Sequence, residues 1–156
     1  MLKKRVVTGA IALSIASAGA ALAQTHQHGG SESQRERFVV PAVRVDQAPR
    51  LDGVLDDQVW QKAAVIHEFT QQEPREGAPA SERTEVRVLY DSRSLLIAVH
   101  AFDTDPHGIV ATEMRRDSDR LLDEDNFELI VDTFDDSRNG YMFVTTPLGA
   151  KLEQQI

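Results

Sequence analysis

Between residues 82 and 102 the apolar side chains recur at the period of extended chain, and this constrains the fold more than any other feature. Over residues 82–90, Val86, Val88 and Tyr90 fall on one face while Glu85 and Arg87 fall on the other. Asp91-Ser92-Arg93 turns the chain into Leu95-Leu96-Ile97-Ala98-Val99-His100-Ala101-Phe102, so the two segments predict a β-hairpin. The second segment is apolar on both faces, which predicts a central strand covered on each side. A further hairpin is expected from residues 127–132 and 141–144, across 135–140, where Asn139-Gly140 would supply the positive φ of a tight turn. Residues 38–45 predict an edge strand, because Pro41 cannot donate to a ladder.

Helical periodicity is confined to residues 56–64. Asp56 is the expected cap and Asp57 suits the N-terminal dipole, while Val59, Trp60, Ala63 and Ala64 share a face that turns Trp60 inward. Residues 69–81, rich in Glu, Pro and Gly, predict a surface loop. Short strands, one short helix and long polar loops together predict an all-β chain, specifically a β-sandwich.

The start of the chain reads as an address. Lys3-Lys4-Arg5 precede a weakly apolar run, and Ala21-Leu22-Ala23 presents small residues for cleavage before Gln24, so residues 1–23 are expected to be a secretory signal peptide. Thr8, Gly9, Ser14, Ser17 and Gly19 dilute that run below the apolar density of a membrane span. Residues 24–37 contain nothing to bury and predict a flexible linker, in which His26 and His28 read as solvated because no third ligand stands nearby. The domain is expected over 38–156, and residues 151–156 read as the start of a strand, so the sandwich is expected to be incomplete. Export is expected to place the protein in the periplasm or at the outer membrane.

Charge narrows the function classes. The 17 basic residues face 25 acidic ones for a formal charge of -8, and loss of 1–23 removes three bases and no acids, giving -11. Such a balance argues against binding to a nucleic-acid backbone, which needs clustered Lys and Arg. Zero cysteines exclude disulfides, thiolate metal sites and a cysteine nucleophile.

Nine carboxylates stand between Arg116 and Asp136, against Arg116 and Arg120. Asp117, Asp119 and Glu128 take the first, third and twelfth positions of an EF-hand, but Leu121 and Leu122 stand where an oxygen ligand and a glycine are required. Two readings remain: calcium held between loops by Asp123, Asp125, Asp132, Asp135 and Asp136, or a solvated acidic rim. Asp103-Thr104-Asp105 offers further oxygens near a strand end, whereas His100 and His107 read as structural. A chance carboxylate pair is weak support for glycosidase chemistry, and no G-x-S-x-G elbow or glycine-rich phosphate loop occurs, so the domain is expected not to be catalytic.

Leu51-Asp52-Gly53-Val54-Leu55-Asp56-Asp57-Gln58-Val59-Trp60-Gln61-Lys62-Ala63 resembles the opening signature of carbohydrate-binding module family 9-like domains, with its D-G-x-x-D-x-x-x-W-x-x-A spacing. Residues 84–91, the apolar strand ending in Phe102-Asp103, and Asp125-Asn126-Phe127-Glu128-Leu129-Ile130-Val131-Asp132 follow in that family's order, so the resemblance covers roughly residues 45–156. Asp132-Thr133-Phe134-Asp135-Asp136 with Arg138, Tyr141, Phe143 and Pro147-Leu148-Gly149 is similar to a bacterial group in which this module precedes an outer-membrane-type β-barrel, although Thr146 stands where that group usually has Asn. The resemblance implies a β-sandwich, export, and, from the sugar-binding members, calcium and a polysaccharide-processing context. A non-catalytic carbohydrate-binding module is therefore the leading expectation, with an oligosaccharide or polysaccharide as partner and a barrel or glycoside hydrolase in the longer protein. The alternative is a structural or gating accessory domain of an outer-membrane barrel with no sugar affinity. Sugar-binding members clamp their ligand between tryptophans, and the one Trp here is expected to be buried. Most other aromatics fall in strand patterns that bury them, leaving Phe134 and Tyr141, with Arg138 as a donor, as the expected ligand residues.

Overall fold

The computed structural model describes residues 40–156. The expected signal peptide, linker and His26/His28 pair lie outside the described residues, as do the first two residues of the expected edge strand. Within them the chain is all-β, with short 3-10 turns and no α-helix, and no helix is long and apolar enough to cross a membrane. The strands are β1 (Val43–Arg44), β2 (Thr84–Tyr90), β3 (Leu95–Ala101), β4 (Phe127–Val131), β5 (Tyr141–Thr145) and β6 (Lys151–Gln155). They fall in two compact units, one of residues 40–67 with 83–102 and one of residues 68–82 with 103–156.

In the first unit the sheet order is β1-β2-β3, with β1 parallel and β3 antiparallel to β2. Asp91 folds the hairpin turn, its Oδ1 accepting the N–H groups of Arg93 and Ser94 at 2.7 Å each. Among the described residues the central strand is thus β2, and the expectation that the doubly apolar β3 lies in the middle is corrected there. β3 buries Leu96 and Ala98 on one face, whereas Leu95 and His100 are exposed. β2 tolerates the central position because its charges neutralise each other, Arg87 Nη1 meeting Glu85 Oε2 at 3.2 Å, while Val86, Val88 and Leu89 are buried. Ile66 and Val86 exchange backbone hydrogen bonds of 2.9 Å, and these further occupy β2.

The register sets Leu89 opposite Leu96 and Arg87 opposite Ala98. Leu89, Leu96 and Ala98 make the floor on which Trp60, Ala63 and Val45 pack. Trp60 is inward as expected, 4% exposed, but on a 3-10 turn, Gln58–Lys62, that ends before Ala63. Ala64 is consequently exposed rather than on the buried face. The cap also differs: Asp57 takes the N-cap position with no side-chain bond to the turn, and Asp56 turns to Arg50 Nη2 at 3.0 Å. Arg50 gathers Asp52, Asp56 and Asp57, so the acidic spacing serves one guanidinium rather than the end of a helix.

In the second unit β4, β5 and β6 form an antiparallel meander. Its core joins Leu121, from the 3-10 turn Asp119–Asp123, to Val144, Ala150, Leu152 and Met142. The positive φ expected at Asn139-Gly140 is found instead at Asp135 and Ser137, each at 54°. Gly140 serves close approach: a Cβ there would lie 3.0 Å from the Val131 carbonyl oxygen. Its backbone exchanges two 2.9 Å hydrogen bonds with Ile156, extending the β5–β6 pairing. Along the outer side of β6, Asp117, at φ 57°, donates its N–H to the Lys151 carbonyl at 2.9 Å and accepts the Glu153 N–H at 3.0 Å. One residue thereby occupies part of a strand edge that would otherwise offer itself for pairing.

Candidate functional site

The loop from Asp132 to Asn139 holds most of the residues singled out by sequence. Asp132 Oδ1 accepts the N–H of Phe134 at 3.1 Å and of Asp136 at 3.4 Å, and its Oδ2 accepts that of Ser137 at 2.8 Å. Asp136 Oδ1 accepts the N–H groups of Arg138 and Asn139 at 2.9 and 3.1 Å, and its Oδ2 takes the Asn139 amide at 3.1 Å. These donors stabilise charge on the oxygens, so both carboxyls are held below the ordinary carboxylate range, chiefly by the Ser137 N–H at Asp132 and the Arg138 N–H at Asp136.

The acids upstream are used in the same way. Asp125 Oδ2 accepts the Val110 N–H at 2.7 Å while its own N–H returns to the Val110 carbonyl at 2.9 Å. Glu124 takes the N–H groups of Thr112 and Glu113 and the Thr112 hydroxyl, which lower its pKa. Glu113, 9% exposed, is bracketed by the Arg115 guanidinium, its Oε2 3.0 Å from Arg115 Nη2, and accepts the Ser118 hydroxyl at 3.2 Å. Those bonds, the Arg115 side chain first, depress its carboxyl to about 2. Asp103 accepts the Asp105 N–H at 2.7 Å, a local turn.

Among the described residues, no group of three or more Asp, Glu or His converges on a point that could hold a metal. Asp125, Asp132 and Asp136 each accept backbone N–H donors from their own or neighbouring loops. Among the described residues, Asp123, Asp125, Asp132, Asp135 and Asp136 are not gathered at one point.

Exposed aromatic side chains lie on the sheet. With Met142 and Val144 committed to the core, strand alternation sends Tyr141 and Phe143 to the other face of β5. Tyr141 is 43% exposed and Phe143 41%, and same-face neighbours on a strand stand about 7 Å apart. The register places Val131 and Gln155 on either side of Tyr141, and Leu129 and Glu153 on either side of Phe143. An aromatic row is therefore flanked by half-buried aliphatic residues of β4 and by exposed polar side chains of β6, with Arg116 Nη2 2.8 Å from Glu153. Phe134, 75% exposed, and Arg138 remain in the preceding loop. Tyr141 was anticipated, but its companion on the strand is Phe143, which sequence alone assigned to the core. Tyr-Met-Phe-Val carries large apolar groups on both faces, and only the position of Leu121 and Leu152 shows which face is covered. Comparison with protein-family models, curated proteins and solved structures yields no match.

Proposed function

We propose that this chain is a non-catalytic carbohydrate-binding module of an exported protein, its two sheets belonging to a family 9-like β-sandwich. The observation that carries this reading is the exposed Tyr141–Phe143 row, edged by Glu153 and Gln155. A pyranose presents apolar C–H faces and a hydroxyl rim, so it needs flat aromatic surface beside donors and acceptors, the combination found here. A one-sided platform leaves one face of the sugar wet, so millimolar affinity for short oligosaccharides is expected.

Titration calorimetry of the folded chain against cello- and xylo-oligosaccharides tests the proposal. Tyr141→Ala and Phe143→Ala should each abolish measurable binding, while Phe134→Ala and Arg138→Gln reduce it less. If no sugar binds at millimolar concentration, the outer-membrane accessory reading replaces this one.

A further inference from the structure

The face of β2 and β3 that carries Trp60 has a second half that Trp60 does not cover. Alternation places Arg83, Glu85, Arg87 and Leu89 on one face, and the register sets His100 opposite Glu85. Phe102 donates its N–H to the Arg83 carbonyl at 2.8 Å, which continues the same register by one pair. Beyond the apolar floor of Leu89, Leu96 and Ala98, the face therefore ends in Arg83, Glu85, His100 and Phe102, with Arg87 on the border. The His100 and Phe102 rings stack, with centroids 4.1 Å apart and planes 23° from parallel, and the Arg83 guanidinium carbon lies 5.1 Å from the Phe102 centroid. Glu85, its side chain only 12% exposed, receives both Arg83 and Arg87.

Two features set this patch apart. Two guanidinium groups share one carboxylate on this face, in a chain whose formal charge is -8. The stacked pair is also exposed, His100 together with Phe102 at 38%, beside an Arg83 side chain that is 64% accessible. A burial role accounts for neither, since Trp60 and its neighbours already close the apolar half of the face. Glu85 holds the guanidiniums in place. Exposed rings beside a positioned guanidinium suit a ligand with an apolar ring face and a carboxylate on its edge.

We propose that the Arg83–His100–Phe102 patch is a subsite for an acidic sugar, a uronate unit of an anionic polysaccharide, with its ring on the aromatic pair and its carboxylate on Arg83. The acidity of the rest of the chain does not oppose this, because at physiological salt repulsion fades within about 8 Å. This inference rests on the carbohydrate reading and names an acidic class of sugar for it.

The test is calorimetric titration of the full chain with galacturonate oligomers beside uncharged cello-oligosaccharides, at low and at high salt. The galacturonate oligomers should bind, more weakly as salt rises, and Arg83→Gln and Phe102→Ala should each weaken them about tenfold, the equivalent of losing one charged hydrogen bond or one stacking surface. Neither variant should alter binding of the uncharged oligomers. Because Arg83 is exposed, its variant keeps the test decisive even if Phe102→Ala fails to fold. Galacturonate binding unchanged in Arg83→Gln overturns the proposal. Binding of uncharged oligomers alone overturns it while leaving the carbohydrate reading intact, and binding of neither class removes both.

Discussion

Trp60 shows how much of the first unit hangs on one side chain. Its ring rests on Leu89, Leu96 and Ala98, yet its indole N–H is buried without a partner among the described residues. An orphan donor costs free energy while the ring's packing supplies it, so the two can be separated by substitution. Trp60→Ala is expected to cost about 3–5 kcal/mol, out of a typical domain stability of about 5–15 kcal/mol. Trp60→Phe keeps an aromatic body and discards the orphan donor, so urea unfolding followed by circular dichroism should show a clearly smaller loss. The wild-type indole should fluoresce at short wavelength and resist quenching by iodide.

Among the elements, the β4–β5 connection is organised by acceptors rather than by its glycine. Asp132 and Asp136 between them collect the N–H groups of residues 134 and 136–139, which lets Asp135 and Ser137 hold left-handed backbone at a cost that few non-glycine residues meet. Asp132→Ala should therefore loosen the loop, read as faster amide exchange at Phe134 and Ser137, and Asp132→Asn should restore part of the protection. Because the described acids are not gathered at one point, thermal melts with calcium and with chelator should coincide for wild type and lie equally lower for Asp132→Ala. Gly140 carries the opposite constraint. A methyl there would press on the Val131 carbonyl, which is backbone and cannot swing aside, so Gly140→Ala should destabilise by about 1–3 kcal/mol in denaturant titration.

For the whole molecule, the depressed carboxyls set the response to acid. Glu113, Glu124, Asp132 and Asp136 all lie in the second unit. A carboxyl that is more acidic when folded takes up its proton more readily once unfolded, so it stabilises the fold at pH values above its unfolded pKa. That contribution is complete above the ordinary 4.5 of Glu and 3.8 of Asp, and it is lost as pH falls toward about 2, the folded value of Glu113. Denaturation midpoints should therefore drop steeply below about pH 4. In Glu113→Gln the midpoint should be lower at neutral pH and the drop shallower, because one of the groups that titrates on unfolding is gone.

Local chemistry was legible along the chain wherever a residue acts on its near neighbours. The alternation over 84–90 and 95–101 specified both strands, Asp91 specified the turn between them, and the spacing of Val59 and Trp60 turned the indole inward. Strand order, the covered face and the use of each carboxylate were not legible, because each depends on residues distant in sequence. β3 is apolar on both sides, yet among the described residues it lies at an edge, with β2 between it and β1. Phe143 looks like core until Leu121, 22 residues earlier, covers the Val144 face instead. Asp125, Asp132 and Asp136 accept N–H groups that only the folded loops bring to them. Periodicity is a property of neighbouring residues and survives in one dimension, whereas burial and hydrogen-bond partnership belong to pairs that meet only when the chain has closed on itself.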